Sequence, residues 1–299
     1  MMKIGGQNET GNLRWVLMKH PRDAFLSQDY IQLHWKELNY SRPPDYSRAL
    51  DEYEKFSEAI RESGTNIEYL PSDHRCRLDS IYVRDTGFPT DNGMIVGRMG
   101  KRLRQAETEA LKDFLRQRSI PILGEIKEEG TFEGGDALWL DEKTLAVGEG
   151  YRTNREGIRQ LRGLLSNFGV EVLSVALPHW EGPDDVFHLM SIISPITPRL
   201  AVVYSRLMPV PFRRVLLSRG VKLIEVPDEE FGSMAGNILS LGSQCCLMLE
   251  GNSQTRRLLE SAGVEAVEFQ GQEICLLGMG GPTCLARPIK RDLSYQESP

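Results

Sequence analysis

The residues of this chain best suited to chemistry are one cysteine, one histidine and several carboxylates. Cys284 follows the glycine-rich residues 278–283, and glycine lets another group approach the backbone closely. Glu133 and Asp136 flank a Gly-Gly bend, and His188 lies in an apolar run. Cysteine and histidine together are typical of nucleophilic catalysis, because the thiolate is the reactive form of cysteine. The sequence therefore indicates covalent chemistry at Cys284, provided that these residues meet in the fold.

Each of these residues also has a purely structural interpretation. Cys284 could be a buried thiol at the end of a hairpin, and His188 a hydrogen-bonded histidine of the core. The Gly-Gly bend at 134–135 could be a simple turn between two solvated acids. The apolar residues on both sides of this bend, Phe132 and residues 137–140, instead indicate a buried setting. A buried carboxylate needs a charged or hydrogen-bonded partner, and a bound cation would supply one.

A further carboxylate, Asp85, occupies the equivalent place in the preceding part of the chain, within residues 84–87. Several carboxylates around one site would hold a positively charged electrophile. A planar guanidinium fits, because its fork of N–H groups matches carboxylate oxygens two at a time. Such a cation would also lower the pKa of the neighbouring Cys284 thiol when it binds, since it stabilises the thiolate.

These residues recur at equivalent positions of a repeated unit about 50 residues long, a period typical of propellers and solenoids. Each unit has an apolar run, a turn, a second apolar run and a helical segment. The predicted segments are 84–88, 93–97 and 106–116; 136–140, 144–148 and 153–165; 189–194, 200–204 and 211–219; and 237–241, 246–249 and 253–262. If the units surround an axis, their polar residues converge at its centre. These residues are Asp85, Glu133, Asp136, His188 and Asn237.

A fifth unit requires both ends of the chain. Residues 282–286, which contain Cys284, would begin this unit, and a strand at 14–18 would close the ring. Elsewhere the predictions are a helix at 46–63, a strand at 66–70, a strand, glycine turn and second strand within 274–289, and an irregular segment and candidate lid at 20–44. We expect one catalytic domain at 13–292 between flexible tails at 1–12 and 293–299.

Composition narrows the class of protein and its partners. The 299 residues are 40% hydrophobic and 26% charged, as in ordinary globular proteins, and the net charge of -6 argues against a nucleic-acid binder. Five cysteines without a C-x-x-C pair predict free thiols in a reducing, cytoplasmic setting and no structural zinc. No apolar run approaches the length of a membrane span and no signal peptide is visible, so no membrane association is expected. Assembly into a homo-oligomer is left open.

Four motifs, in this order and spacing, resemble those of the guanidino-group-modifying enzymes, which comprise arginine deiminases, dimethylarginine dimethylaminohydrolases and amidinotransferases. The motifs are Arg-Asp-Thr-Gly at 84–87, Phe-Glu-Gly-Gly-Asp at 132–136, His-Leu at 188–189 and Gly-Gly-Pro-Thr-Cys at 280–284. The resemblance covers residues 81–288. It implies an α/β fold, a five-bladed α/β propeller of ββαβ units with pseudo-fivefold symmetry, and catalysis on a small guanidino substrate without a cofactor or metal.

The resemblance also implies roles for individual residues. Cys284 would be the nucleophile that attacks the guanidino carbon, and His188 the acid that protonates the leaving amine and then activates water. Glu133 would hold both the guanidinium and the histidine. The remaining predicted substrate-binding residues are the carboxylates Asp85 and Asp136 and the arginines Arg104 and Arg152, with the arginines facing a substrate carboxylate.

Two departures from the family patterns leave the substrate open. Met190 stands where arginine deiminases have an aspartate, which favours the dimethylarginine hydrolases, whereas Arg84 before Asp85 is more typical of deiminases. The predicted reaction is hydrolysis of arginine or an Nω-substituted, methylated arginine through a thiouronium on Cys284, giving citrulline and ammonia or an alkylamine. The alternatives are transfer of the amidino group to an amine acceptor, and a propeller that binds arginine without chemistry.

Overall fold

The structure, a computed structural model, describes residues 4–292 and contains fifteen strands and nine helices within that range. The strands are β1 (Leu13–Met18), β2 (Asn66–Tyr69), β3 (Gly87–Thr90), β4 (Gly93–Val96), β5 (Ile122–Glu125), β6 (Ala137–Asp141), β7 (Thr144–Glu149), β8 (Glu171–Ala176), β9 (Ile193–Thr197), β10 (Leu200–Val203), β11 (Lys222–Glu225), β12 (Leu239–Gly242), β13 (Cys245–Leu249), β14 (Glu265–Phe269) and β15 (Arg287–Arg291). The helices are α1 (Pro21–Ala24), α2 (Gln28–His34), α3 (Tyr46–Glu62), α4 (Gln105–Gln117), α5 (Arg155–Leu165), α6 (Val210–Ser218), α7 (Asp228–Phe231), α8 (Ser253–Ser261) and α9 (Pro282–Leu285). None of these helices is long and apolar enough to cross a membrane.

Each of the five sheets within residues 4–292 has three strands arranged in the same topology. In the blade of β3, β4 and β5, Phe88 lies opposite Ile95 in an antiparallel pair, and Ile95 lies beside Gly124 in a parallel pair. Parallel neighbours need a crossover connection, which α4 supplies here. The same ββαβ order recurs in β6 to β8, β9 to β11 and β12 to β14, which confirms the predicted repeat.

The fifth blade joins the two terminal regions of the described chain. β15 pairs antiparallel with β1, where Val16 lies opposite Pro288, and β1 pairs parallel with β2, where Val16 lies beside Ile67. The first strands of neighbouring blades contact one another, as β15 does with β3 and β9 with β12. The chain is therefore an α/β protein with the predicted five-bladed propeller of ββαβ units and pseudo-fivefold symmetry.

The middle strands of the blades are apolar because both of their faces are covered. Every residue of β4 and of β10 is buried, as are the first five residues of β7. Clusters of apolar side chains fill the space between neighbouring blades. In one of them, Phe88 and Ile95 pack together with Leu145 and Val147 of the next blade. This packing makes the blades a rigid frame for the turns at the propeller centre.

The segment 20–44 is not irregular as predicted, since it contains α1 and α2. Pro21 occupies the first position of α1, where a missing backbone N–H leaves no hydrogen bond unmade. Ser27 caps α2 by accepting a hydrogen bond from the Tyr30 backbone N–H at 3.2 Å. The prolines of this segment mark helix starts as well as loops, which is why the prediction failed.

Two further expectations concern the ends of the domain. The first strand predicted within 274–289 is absent: Leu276–Gly278 form a 3₁₀ turn and α9 follows, again with a proline at its first position. Residues 4–12 pack against the domain instead of forming part of a flexible tail. The Gly5 backbone N–H donates to the Ile289 carbonyl at 2.9 Å, and Glu9 is buried. Residues 1–3 and the predicted tail at 293–299 lie outside the described residues.

Candidate active site

Turns at the entry to the blades carry the residues that the sequence singled out. Asp85 lies in the 3₁₀ turn Val83–Thr86, Asp136 ends the turn Gly134–Asp136, and His188 immediately precedes the turn Leu189–Ser191. These turns take the place of the first residues of the strands predicted at 84–88 and 189–194. Cys284 lies in α9, which contacts the first turn; the first turn contacts the second, and the second the third. The structure thus brings together residues from distant parts of the chain.

Arg287, which sequence reasoning missed, ties two of these turns together. Its Nε and Nη2 donate to the Arg84 carbonyl at 3.1 and 2.6 Å, and its Nη2 also donates to the Gly134 carbonyl at 2.9 Å. Its guanidinium carbon lies 5.3 Å from the centre of the Phe88 ring. Because one guanidinium serves the carbonyls of both turns, Arg287 fixes their relative position.

Glu133 and His188 form a buried hydrogen-bonded pair. His188 Nε2 lies 2.7 Å from Glu133 Oε2, and the Lys101 backbone N–H donates to Glu133 Oε1 at 3.1 Å. Glu133 is fully buried and His188 is only 2% exposed. On the other side of the imidazole, Nδ1 lies 3.9 Å from Asp85 Oδ1. The imidazole of His188 therefore lies between two carboxylates.

The surrounding carboxylates keep this imidazole protonated. Burial alone would lower the pKa of His188, but the charges of Asp85 and Asp136 and the hydrogen bond with Glu133 raise it to about 9. Burial likewise opposes the ionisation of Glu133, yet the hydrogen bond from His188 and the charge of Arg152 hold its pKa well below its usual range. At neutral pH the pair is an imidazolium beside a carboxylate, so it can donate a proton to a bound molecule.

Arg104 makes all its hydrogen bonds inside the protein. Its Nη1 donates to Asp85 Oδ2 at 2.6 Å and its Nη2 to the Tyr82 carbonyl at 2.8 Å. Its Nε and Nη2 also donate to the Glu107 carboxylate at 2.9–3.2 Å. With every nitrogen engaged and 3% exposure, Arg104 positions the Asp85 carboxylate. This placement corrects the prediction that Arg104 binds a substrate carboxylate.

Asp136 supports the turn that follows His188. Its Oδ1 accepts a hydrogen bond from the Leu189 backbone N–H at 3.0 Å. The side chain is fully buried, and this burial raises the pKa of Asp136 to about 6 against the opposing charge of His188. The structure therefore places Asp136 where it positions His188, whereas the sequence predicted a direct contact with substrate.

Arg152 lies against Glu133 with part of its guanidinium unused. Its Nη1 is 3.4 Å from Glu133 Oε2, and its Nη2 donates to the Asp185 carbonyl at 2.9 Å. Its buried Nε has no partner within residues 4–292. A free N–H of a buried guanidinium is suited to an anionic group. The role of Arg152 in binding a substrate carboxylate stays a prediction.

Asn237 holds the sulfur of Cys284. Its Nδ2 donates to Cys284 Sγ at 3.7 Å, and its Oδ1 accepts from the Thr283 backbone N–H at 3.0 Å and hydroxyl at 2.8 Å. Cys284 is 9% exposed. Burial, and next the negative charge of Asp85, raise the pKa of its thiol. The sequence placed Asn237 among the converging residues, and the structure shows its contact with the thiol.

Asn237→Ala is expected to raise the pKa of the Cys284 thiol further, because the thiolate loses an N–H donor. The pH dependence of alkylation by iodoacetamide, followed on the Cys284 peptide by mass spectrometry, measures this pKa. Asn237→Asp keeps an acceptor for Thr283 but adds a negative charge beside the sulfur, so it should raise the pKa more than alanine does. An unchanged alkylation profile in both variants would leave Asn237 with a structural role alone.

Residues 38–41 cover this site and link loops around it. Within this range one carbonyl accepts from Lys101 Nζ at 2.8 Å, and one backbone N–H donates to the Leu277 carbonyl at 3.0 Å. A side-chain amide donates to the Asp184 carbonyl at 3.4 Å. These partners precede the Glu133, Cys284 and His188 positions, respectively. The lid predicted within 20–44 is thus represented by residues 38–41.

Asp79 is a second residue that sequence reasoning missed. Its Oδ2 accepts from Lys101 Nζ at 2.6 Å, and its buried Oδ1 has no partner within residues 4–292. The hydroxyls of Tyr40 and Tyr82 are buried and without partners in the same range. Asp79 stands between apolar residues of the sequence, as Asp136 does, so the signal that pointed to Asp136 could have found it.

The acidic groups of the site are arranged to hold a cation. Asp85, Glu133 and His188 each bring one potential ligand atom to within 4.8 Å of the others, an arrangement that a metal ion could also use. A histidine binds metal as the neutral imidazole. Because the pKa of His188 is raised to about 9, this imidazole is protonated at neutral pH. The ionisation of the site therefore favours an organic cation over a metal.

The chain matches known proteins over most of its length. The family model of the eukaryotic N,N dimethylarginine dimethylhydrolases matches residues 26–291. An uncharacterized protein of Aeropyrum pernix is 30% identical over 248 residues, which are 82% of this chain and 85% of that protein. The N(G),N(G)-dimethylarginine dimethylaminohydrolase of Pseudomonas aeruginosa is 26% identical over 243 residues, which are 81% of this chain and 89% of that enzyme.

A solved structure of the Pseudomonas aeruginosa enzyme, a cysteine-to-serine variant in complex with citrulline, has the same fold. It is 24% identical to this chain with a TM-score of 0.76, and the match covers 92% of this chain and 99% of that one. The family match supplies what this likeness in fold does not. The chain belongs to the N,N dimethylarginine dimethylhydrolase family, one of the guanidino-group-modifying enzyme families, and is a hydrolase of guanidino C–N bonds.

Proposed function

We propose that the chain hydrolyses the guanidino group of arginine or an Nω-substituted arginine through a covalent thiouronium on Cys284. The observation that carries this proposal is the buried imidazole of His188 between Glu133 and Asp85, on turns that lead by successive contacts to the helix of Cys284. The carboxylates offer the acceptors that a planar guanidinium needs, and the imidazolium offers a proton for a leaving amine.

Substrate binding activates the nucleophile in this scheme. In the free enzyme, burial and the charge of Asp85 raise the pKa of the Cys284 thiol. A guanidinium held by Asp85 and Glu133 brings a positive charge beside the sulfur, which lowers this pKa and lets the thiol release its proton to solvent. The Cys284 thiolate then adds to the guanidino carbon.

His188 takes part in both halves of the reaction. As an imidazolium it donates its proton to the departing ammonia or alkylamine, so the C–N bond breaks without expelling a strongly basic anion. The neutral imidazole next takes a proton from the water that adds to the thiouronium carbon. Cleavage of the C–S bond restores the Cys284 thiolate and leaves the ureido group of citrulline. Glu133 orients the imidazole throughout and stabilises its charge.

The amino-acid end of the substrate would bind close to Lys101. The backbone N–H of Lys101 contacts Glu133 and its Nζ contacts Asp79, so the unpaired Asp79 Oδ1 lies about one side-chain length from the guanidinium site. We assign this oxygen to the substrate ammonium and the free Nε of Arg152 to the substrate carboxylate. Arg104 and Asp136 act in this scheme as positioning residues.

A product-release assay over arginine, Nω-methylarginine, Nω,Nω-dimethylarginine and agmatine tests the proposal. Citrulline is expected from the amino acids, together with ammonia or the matching methylamine, and a chelator should leave the rate unchanged. Ornithine released in the presence of amine acceptors would indicate amidino transfer instead. A preference for agmatine, which has no carboxylate, would overturn the assignment of Arg152. Absence of turnover with every guanidino compound would overturn the proposed reaction.

Gly135 leaves room for the two side chains that flank the proposed guanidinium site. A Cβ added at this position would lie 2.6 Å from His188 Nδ1 and 2.8 Å from Asp85 Oδ1. Gly135→Ala should therefore displace His188 or Asp85 and lower kcat/KM about 100-fold. Gly163→Ala on α5 is the matched control, because nothing lies within 4 Å of a Cβ added there. Equal kinetics of the two variants would contradict the tight fit around Gly135.

A further inference from the structure

Three buried arginines lie together behind the turn of Asp85 and share one carboxylate. Arg84, Arg287 and Arg291 are 1%, 2% and 4% exposed, and Glu9, from the N-terminal segment, is 8% exposed. Arg84 Nη2 donates to Glu9 Oε2 at 2.9 Å, and Arg287 donates to the Arg84 carbonyl. We name these four residues the arginine cluster. None of them takes part in the reaction proposed above.

The arginine cluster has more N–H donors than its surroundings accept. Within residues 4–292, Arg84 Nε and Nη1 and Arg291 Nε are buried and have no hydrogen-bond partner. The other two nitrogens of Arg291 donate to the Gly11 and Ser240 carbonyls at 2.7 and 2.8 Å. A buried donor without a partner is destabilising, because it has lost its hydration and gained nothing in return. These three donors therefore point to an acceptor that binds among them.

The arginine cluster also carries an excess of positive charge. Arginine stays protonated in proteins, so three guanidiniums face the single carboxylate of Glu9. Asp85 is also close, but its Oδ2 already accepts a hydrogen bond from Arg104. Burial and the charge of Arg84 lower the pKa of Arg287, and burial is the main reason that the pKa of Arg291 falls to about 10. Water would satisfy the free donors and leave this charge unbalanced, whereas an anion does both.

We propose that the arginine cluster binds a small inorganic anion of the size of chloride. Its ligands are the free N–H groups of Arg84 and Arg291, and Arg287 contributes a third positive charge. The site is closed to larger anions by the N-terminal segment, which packs so tightly that a Cβ on Gly6 would collide with the Arg291 carbonyl. Because Arg287 also holds the carbonyls of Arg84 and Gly134, the bound anion steadies the turns beneath the active site.

Thermal unfolding in increasing chloride tests this site in solution, with methanesulfonate keeping the ionic strength constant. Tm is expected to rise by about 2–4 °C from about 1 to about 100 mM chloride, because an anion bound only by the folded state stabilises it by mass action. Glu9→Gln keeps the shape of the side chain and removes the competing carboxylate, so its chloride dependence should be steeper. Arg14→Met is the matched control: it removes a half-exposed arginine of β1 and should keep the wild-type dependence.

Crystals grown with bromide in place of chloride locate the anion. One anomalous peak is expected within hydrogen-bond distance of Arg84 Nε and Nη1. Density for water alone at this place overturns the proposal. So does a bromide peak in a protein whose Tm is independent of chloride both in the wild type and in Glu9→Gln, since the peak is then an adventitious ion only.

Discussion

Cys284→Ser is expected to abolish citrulline release, with kcat/KM falling by at least about 10⁴-fold. The proposed reaction needs an anionic nucleophile, and a serine hydroxyl stays neutral where a thiol ionises beside a bound guanidinium. His188→Gly is the companion variant, because it keeps the nucleophile and removes the proton carrier that completes hydrolysis. An adduct of substrate mass should then accumulate on Cys284. Steady-state kinetics and mass spectrometry of acid-quenched protein measure the two effects.

Cys246→Ser is the matched control for the nucleophile. Cys246 is a buried free thiol on β13, in the middle of a blade, and it should be dispensable for turnover. Wild-type kinetics are expected for this variant. Turnover by Cys284→Ser close to that of the wild type, or an adduct on any other cysteine, would contradict the assignment of the nucleophile.

Glu133→Gln should lower kcat about 100- to 10,000-fold, the range typical of disrupted general acid–base catalysis. Glutamine keeps a hydrogen-bond acceptor for His188 but removes the charge that stabilises the imidazolium and holds the guanidinium. The pKa of His188, raised to about 9 in the wild type, should fall only in part, because Asp85 and Asp136 remain. The alkaline limb of the pH–rate profile is therefore expected at lower pH in the variant.

The same ion pair gives folding stability a definite pH dependence. The contribution of His188 is fully present below its unfolded pKa of about 6.5 and is lost as the pH rises through its folded pKa of about 9. Glu133 acts at the other end: because its folded pKa is lowered, its contribution is present above about pH 4.3 and is lost as the pH falls. Urea unfolding should therefore show a larger loss of stability from about pH 6 to about pH 9.5 in the wild type than in Glu133→Gln.

Glu156→Gln on α5 is the control for removal of a carboxylate. Glu156 pairs with Arg159 on the surface of that helix, far from any proposed role, and the variant should keep wild-type rates and pH profiles. If Glu133→Gln matched this control in rate and in stability, the charged pair of Glu133 and His188 would not be part of the catalytic machinery.

The propeller could be predicted because its repeat survives in the distribution of apolar residues. A middle strand such as β10 is buried along its whole length, so it appears in the sequence as an uninterrupted apolar run. The fifth blade followed from the apolar strand at 14–18 and from the position of Cys284 at the start of a further unit. The 3₁₀ turns that carry Asp85 and His188 were placed in strands, because three or four residues are too few to show a period of their own.

The residues that support the site could not be predicted, because their partners lie far away along the chain. Arg287 reaches the carbonyls of Arg84 and Gly134, and no local pattern marks such a contact. Arg104 is the instructive exception. It stands three residues before Glu107, a spacing at which opposite charges pair on one side of a helical turn, and this pairing could have shown that the guanidinium was already engaged.

Closure of the ring by β15 against β1 has a consequence for biosynthesis. The nascent chain cannot complete its last blade until residues 287–291 have left the ribosome, although four blades can already have formed by then. The thiol of Cys284 emerges in this same final stretch, so the chain is chemically inert for nearly the whole of its translation. A circular permutant that links the present termini and opens a different blade would expose the thiol earlier, while the acids around it were still being made.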